Sequence, residues 1–166
     1  MVTLKNILVA TDFSEPSEAA FLYGREFAVR LGATLHVLHV APNILISNLP
    51  AENYLASAPD IRQEIEDDAR RQLHHMLVDT DGSGPGAIPV VVAASSPAMA
   101  IVEYAKEHEI DMIVMGTHGR GALAHLVMGS VAERVVRLAP CPVLTVRHPE
   151  RDFVHPDTLA TIARAS

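Results

Sequence analysis

The sequence predicts an α/β fold: a five-stranded parallel sheet in the Rossmann-like order 3-2-1-4-5, with helices on both faces. Three observations carry this expectation. Short apolar runs rich in branched residues alternate with helix-period segments along the chain, the pattern of successive βαβ units. The 166 residues suit one domain, without internal repeat. Hydrophobic residues make up 49% and aromatic residues only 4%, so the core must be built from Val, Leu, Ile, Ala and Met, as suits a helix-covered parallel sheet.

Leu4–Ala10 reads as the first strand, and Thr11-Asp12-Phe13-Ser14 as the turn behind it. Ser14 is a candidate helix cap, with Pro16 in the first turn. Ala20, Phe21, Gly24, Phe27, Ala28 and Leu31 recur at helical spacing, and Gly32 supplies the stop. Thr34–Val40 is the second strand. From Ala41 to Asp60 the pattern breaks, and Pro42, Asn43, Asn48, Pro50 and Pro59 predict a long excursion with a short helix at its centre. A charged helix is expected over Ile61–Val78, a loop over Asp79–Gly86, and the third strand over Ile88–Ala93. Ser95 or Ser96 caps a helix that opens at Pro97 and ends near Glu109. Asp111–Met115 is the fourth strand. Ser130-Val131-Ala132-Glu133 has capping-box spacing and opens a helix to Leu138. Pro140-Cys141-Pro142 ends it, and Val143–Val146 is the fifth strand. The domain is expected to occupy residues 1–148, followed by a polar tail over 149–166 with a short helix from Pro156 to Arg164.

Composition narrows the function. A formal net charge of −7 disfavours nucleic acid and anionic membrane surfaces as partners. Cys141 is the single cysteine, which rules out an intramolecular disulfide and fits a reducing compartment. No apolar run reaches transmembrane length, and the first residues lack the pattern of a signal peptide, so a cytoplasmic location is expected.

The chemistry concentrates behind the fourth strand. Gly116-Thr117-His118-Gly119-Arg120-Gly121 follows an apolar run, and nine residues separate Gly119 from a second corner, Gly129-Ser130. Glycine lets a backbone turn tightly and admit a bulky anion to its N–H groups, and a helix start supplies positive potential. In open parallel sheets ligands bind at the carboxyl ends of strands where the strand order reverses. If strands one and four are neighbours there, Asp12 and the glycine loop face each other across one crevice. A carboxylate at Asp12 would serve a ribose hydroxyl or a divalent cation beside phosphates; equally, it would support the turn alone. Ser130 has two compatible roles, phosphate donor or self-cap with Glu133. The chain has no Walker A sequence, and no dinucleotide fingerprint follows its first strand. Arg120 is the cation nearest the loop, placed to pair with a terminal phosphate or to remain a solvated surface residue.

Gly116-x-x-Gly119, nine residues, then Gly129-Ser130 resembles the signature of the nucleotide-binding branch of the universal stress protein family. Ile7–Ser14, Leu35–Val40 and Pro140–Val146 resemble that family's first, second and last strands, so the resemblance spans roughly residues 3–147. It implies an ATP site, with ADP or AMP as further candidates. Asp12 would contact the nucleoside, flanked by Ala10 and Thr11. The backbone of Val40 would read the adenine edge, and Met115 and Gly116 would line the floor. Gly119, Gly129, Ser130 and Val131 would bind phosphates, with His118 and Arg120 inside the loop. The resemblance also implies a homodimer paired through Val143–Val146. Ser95-Ser96-Pro97 departs from the family, which often has a glycine before that proline.

The remaining residues have plainer readings. His74 and His75 point to different sides of a helix, His36 and His39 to opposite faces of a strand, and no complete ligand set surrounds His118 and His125. Cys141 reads as an inert buried thiol. The leading expectation is an ATP-binding regulatory homodimer, at most a weak Mg2+-dependent ATPase because no general base or nucleophile is evident. Its rivals are a nucleotide hydrolase or adenylyl-transfer enzyme using Asp12, a metal and His118, and a nucleotide-free interaction module.

Overall fold

In a computed structural model, which describes residues 3–43, 51–78, 86–117 and 128–147, the elements run β1 (Asn6–Thr11), α1 (Glu15–Leu31), β2 (Thr34–Pro42), α2 (Ala51–Val78), β3 (Ile88–Ala94), α3 (Pro97–Glu107), β4 (Met112–Gly116), α4 (Ser130–Leu138) and β5 (Val143–Val146). The strands form one parallel sheet, as the alternation of apolar runs and helical segments predicts, and they take the expected order β3-β2-β1-β4-β5. β1 is central, pairing with β2 on one side and β4 on the other.

Both faces of the central strand are covered, which explains its unbroken apolar run. Ile7 and Val9 point to one side, where Phe21, Ala28, Leu35, Val37, Leu73 and Val114 join them beneath α1 and α2. Leu8 and Ala10 point to the other, with Leu38, Ile101, Tyr104, Ile113, Met115 and Val135 beneath α3 and α4. α1 lies close on the sheet at Gly24, where a Cβ would come within 2.3 Å of Val9 Cγ2. It stops at Gly32, whose φ of 64° is the left-handed conformation that glycine tolerates best. The amino ends of β1 and β4 are tied together: the Asp111 carboxylate accepts from the Lys5 N–H at 2.6 Å and the Asn6 N–H at 2.9 Å. Those two donors hold its pKa below the usual carboxylate value.

Several local expectations need correction. β2 continues two residues past Val40 to Pro42, paired with Ala94 at the end of β3. The excursion over 41–60 is shorter than expected, because α2 begins at Ala51 and runs through Pro59 to Val78. An internal proline removes one helical N–H and crowds the preceding turn. Here it does not end the helix, whose later turns bury Ala69 and Leu73 in the core. Residues 44–50 and the loop over 79–85 lie outside the described residues, as does the expected tail helix. α3 ends at Glu107, earlier than expected, with His108 at its cap and Glu109 at a φ of 49°.

The capping box expected from Ser130 and Glu133 does not form. Gly129 is the N-cap of α4 and Ser130 is its first helical residue, so the spacing is one residue out of phase. Glu133 instead sits 3.2 Å from Arg137 on the solvated face. Ser96 is the N-cap of α3, but its side chain makes no cap hydrogen bond. Among the described residues, no helix is long and apolar enough to cross a membrane.

Candidate functional site

The strand order reverses direction between β1 and β4, and the polar turns meet there. Ala10 lies opposite Met115 in the register, so Thr11 and Asp12 emerge beside Gly116. Gly116 is buried within the last position of β4. Thr117 then acts as a clamp. Its N–H donates to the Val146 carbonyl at 2.8 Å, and its own carbonyl accepts from the Gly129 N–H at 2.7 Å. This pair of bonds draws the start of α4 to the carboxyl ends of β4 and β5. The first-turn N–H groups of α4, beginning at Ser130 and Val131, have no intrahelical acceptor by helix geometry and carry the positive end of the dipole. Val131 packs against the core, whereas Ser130 is exposed.

The opposite wall is the Thr11–Ser14 turn. Asp12 Oδ1 accepts from the Ser14 N–H at 3.2 Å and from the Ser14 hydroxyl. The turn-supporting role of Asp12 is therefore realised in the fold. Ser17, only 3% exposed, completes the turn from below. Its hydroxyl donates to the Ser14 carbonyl at 2.8 Å, accepts from the Ser14 N–H at 3.0 Å, and lies 3.0 Å from the Thr11 hydroxyl. The Thr11 hydroxyl accepts in turn from the Phe13 N–H at 3.0 Å. Phe13 has a φ of 61°, a conformation a bulky side chain seldom adopts, and its ring packs at 4.4 Å on the imidazole of His39. His39 Nδ1 lies 2.9 Å from the Thr11 carbonyl. On the α2 side of this turn lies a cavity of about 370 Å³, bordered by Phe13, His39, Ile61, Glu64, Ile65 and Asp68.

Of the residues expected to form the site, the structure brings together Ala10, Thr11, Asp12, Met115, Gly116, Gly129, Ser130 and Val131. Val40 stands on the neighbouring strand, one residue beyond the Thr11–His39 pair, and packs toward α3 and α4. His118, Gly119 and Arg120 lie outside the described residues. Three residues with a part in this geometry carry no such expectation in the sequence: Ser17, His39 and Thr117. The spacing of Ser17 from Ser14 was a usable signal, since a hydroxyl at the third helical position can reach back to the cap. His39 was legible only as facing away from His36, and Thr117 was visible only as part of the glycine run, since its partners Val146 and Gly129 are distant in sequence.

His36, Tyr104, His108 and Cys141 lie away from this crevice. His36 is 7% exposed and its Nδ1 sits 2.9 Å from the Tyr104 hydroxyl, while His108 stacks on the Tyr104 ring at 3.8 Å. Burial, with a smaller contribution from His108, holds the His36 pKa below its ordinary value. Cys141 is half-buried, and burial pushes its thiol pKa up, with the Asp111 charge adding to the effect. Among the described residues, no group of three His, Cys, Asp or Glu side chains is placed to hold a metal ion.

The fold and this crevice define a doubly wound α/β protein with its polar turns gathered at the topological switch point. The chain belongs to the universal stress protein family, whose model matches residues 3–147. It is 31% identical over 148 residues to universal stress protein MJ0531 of Methanocaldococcus jannaschii, covering 89% of this chain and 85% of that one. Universal stress protein UspA from Lactobacillus plantarum superposes with a TM-score of 0.76 at 28% identity, covering 89% of this chain and 100% of that one. A universal stress protein solved in complex with cAMP shares the fold, with a TM-score of 0.57 at 22% identity and coverage of 87% and 98%.

Proposed function

We propose that this chain binds an adenine nucleotide, ATP in the first instance, and acts as a homodimeric regulatory protein that reports nucleotide level in a stress response. The observation that carries the reading is the bond from the Gly129 N–H to the Thr117 carbonyl, 2.7 Å long. It draws a glycine-capped helix start to the end of β4, next to the turn that bears Asp12. In the proposed complex the first-turn amides of α4 meet the phosphates, together with Gly119, His118 and Arg120 of the intervening loop. Asp12 faces the ribose hydroxyls, the backbone of Val40 the adenine edge, and Met115 and Gly116 the floor. A family member crystallised with cAMP supports the same ligand class for this chain. Mg2+, if it accompanies the phosphates, would use Asp12 as the protein's carboxylate, consistent with its habit of taking one or two carboxylates plus phosphate oxygens.

The test is calorimetric titration with ATP, ADP, AMP and cAMP, with and without Mg2+. Gly129 has φ −72° and ψ 152°, a region open to any L-residue. Gly129→Val therefore narrows the crevice without straining the backbone. Loss of ATP binding by about a hundredfold or more, with the melting temperature retained, is the expected result. Unchanged affinity would remove the α4 start from the site. Absence of binding by the wild-type chain would leave the interaction-module reading. Turnover lost in Asp12→Ala with binding retained would favour the hydrolase.

The homodimer is proposed through β5, which is an edge strand with its residues only partly covered over Val143–Leu144-Thr145. An unpaired apolar edge invites pairing with a second chain. Thr145→Pro, which removes a ladder donor, is expected to shift the sedimentation coefficient from dimer to monomer.

A further inference from the structure

The geometry points to His39 as a positioning residue for the Asp12 turn, and through it for the nucleotide; the second half of this inference rests on the reading that Asp12 faces the ribose. His39 lies on β2, directly opposite Thr11 in the register. Its side chain turns back over the end of β1, where Nδ1 meets the Thr11 carbonyl at 2.9 Å. A backbone carbonyl only accepts, so Nδ1 is the donor in this bond. The ring also backs Phe13, the residue after Asp12, which stands at a φ of 61°.

Asp12 is therefore held between two fixed neighbours. Thr11 is anchored by His39 at its carbonyl and by Ser17 at its hydroxyl, and Phe13 is braced by the His39 ring. A left-handed backbone at a bulky residue persists only when its surroundings over-determine it. The His39 imidazole and the Thr11–Ser17 pair are those surroundings. Holding the turn before the ligand arrives removes an ordering cost from binding. None of these contacts requires His39 to touch the ligand.

Two substitutions separate the hydrogen bond from the ring. His39→Asn places its amide N–H at the position of Nδ1 and keeps the donor. His39→Phe keeps an aromatic ring on Phe13 and loses the donor. In the nucleotide-free protein, hydrogen exchange at the Ser14 amide reads the turn directly, because that N–H is bonded to Asp12 Oδ1 and Ser17 Oγ. His39→Phe is expected to speed this exchange about tenfold or more while core amides of β1 and β4 keep wild-type protection; His39→Asn, which keeps the donor but loses the ring, is expected to fall between His39→Phe and wild type. ATP affinity is expected to fall about five- to tenfold in His39→Phe, the range of one lost hydrogen bond, and to fall less in His39→Asn. In an Asp12→Ala background His39→Phe should add no further loss.

Wild-type exchange at Ser14 in His39→Phe would overturn the inference. An equal loss of ATP affinity with and without Asp12 would overturn the link to the nucleotide, since His39 would then act by another route. If the exchange responds as expected but the wild-type chain binds no nucleotide, the positioning stands and the nucleotide reading fails.

Discussion

His36 and His39 stand three residues apart on β2, and the fold gives them opposite tasks. His36 faces α3, is nearly sealed from solvent, and is paired with Tyr104 in the core. His39 faces the α1 and α2 side at the carboxyl end of the sheet, half-buried, and secures the turn that carries Asp12. Odd spacing on a strand accounts for the opposite faces. The difference in task comes from their neighbours. His36 packs beneath α3, whereas His39, facing α2 on the other side, also borders the polar turn after β1. A buried imidazole belongs to stability, and one beside a turn belongs to the shape of a site.

The comparison is sharpest where stability and binding are measured on the same variant. His36→Ala removes a buried ring and leaves the Tyr104 hydroxyl without its partner. Its expected cost is about 3 kcal/mol in urea denaturation, with nucleotide affinity per folded molecule unchanged. A matching loss of affinity in the folded fraction would mean that the two histidines are not separate. Tyr104→Phe keeps the ring stacked on His108 and deletes only the hydroxyl that meets His36 Nδ1. It is expected to cost about 1–2 kcal/mol, again without touching binding.

A pH series separates the two further. The folded His36 pKa lies below its ordinary value of 6.5, first through burial and then through His108. The unfolded chain therefore binds this proton more readily than the folded one. The stability contributed by neutral His36 is intact above 6.5 and is lost as pH falls through the lower folded value. Urea midpoints measured from pH 8 down to 5 should begin to decline below 6.5 in the wild type, and His36→Gln should flatten the decline. An unchanged slope in that variant would assign the acid sensitivity to other groups. The smallest effect is expected at the start of α4. Glu133→Ala removes an exposed ion pair to Arg137 rather than a capping box, so its effect should stay within about 0.5 kcal/mol and shrink in salt. A loss near 1 kcal/mol or more would restore the capping role that the sequence spacing suggested.

Much of this architecture was legible before any coordinates. The apolar run Ile7–Ala10, the stop at Gly32 and the helical faces of α1 and α3 follow local rules of period and backbone freedom, and the structure agrees with them except at Leu31, which the last turn of α1 leaves exposed. The parallel α/β class followed from alternating strands and helices; the polar turns after β1 and β4 suggested that these strands are neighbours, and the structure supplies that adjacency. The misreadings also have local causes. Pro59 looked like a terminator because a proline forfeits one hydrogen bond, yet the long amphipathic stretch behind it keeps α2 whole. Ser130 looked like a cap because Ser-x-x-Glu is a cap pattern, but the bond from the Gly129 N–H to Thr117 sets the entry of α4 one residue earlier. His39 was grouped with scattered histidines because its partner, the Thr11 carbonyl, is 28 residues away.

By itself, then, the amino-acid sequence determined the element types, the faces they bury and the two glycine corners. Those depend on side-chain period and on which φ and ψ each residue allows, all within a few neighbours. Only the tertiary structure decided that β1 lies against β4, that Thr117 bridges β5 to the start of α4, and that an imidazole on β2 reaches the turn on β1. Such contacts join residues that crossover connections bring together from far along the chain. Their hydrogen-bond partners become neighbours only after the sheet has assembled.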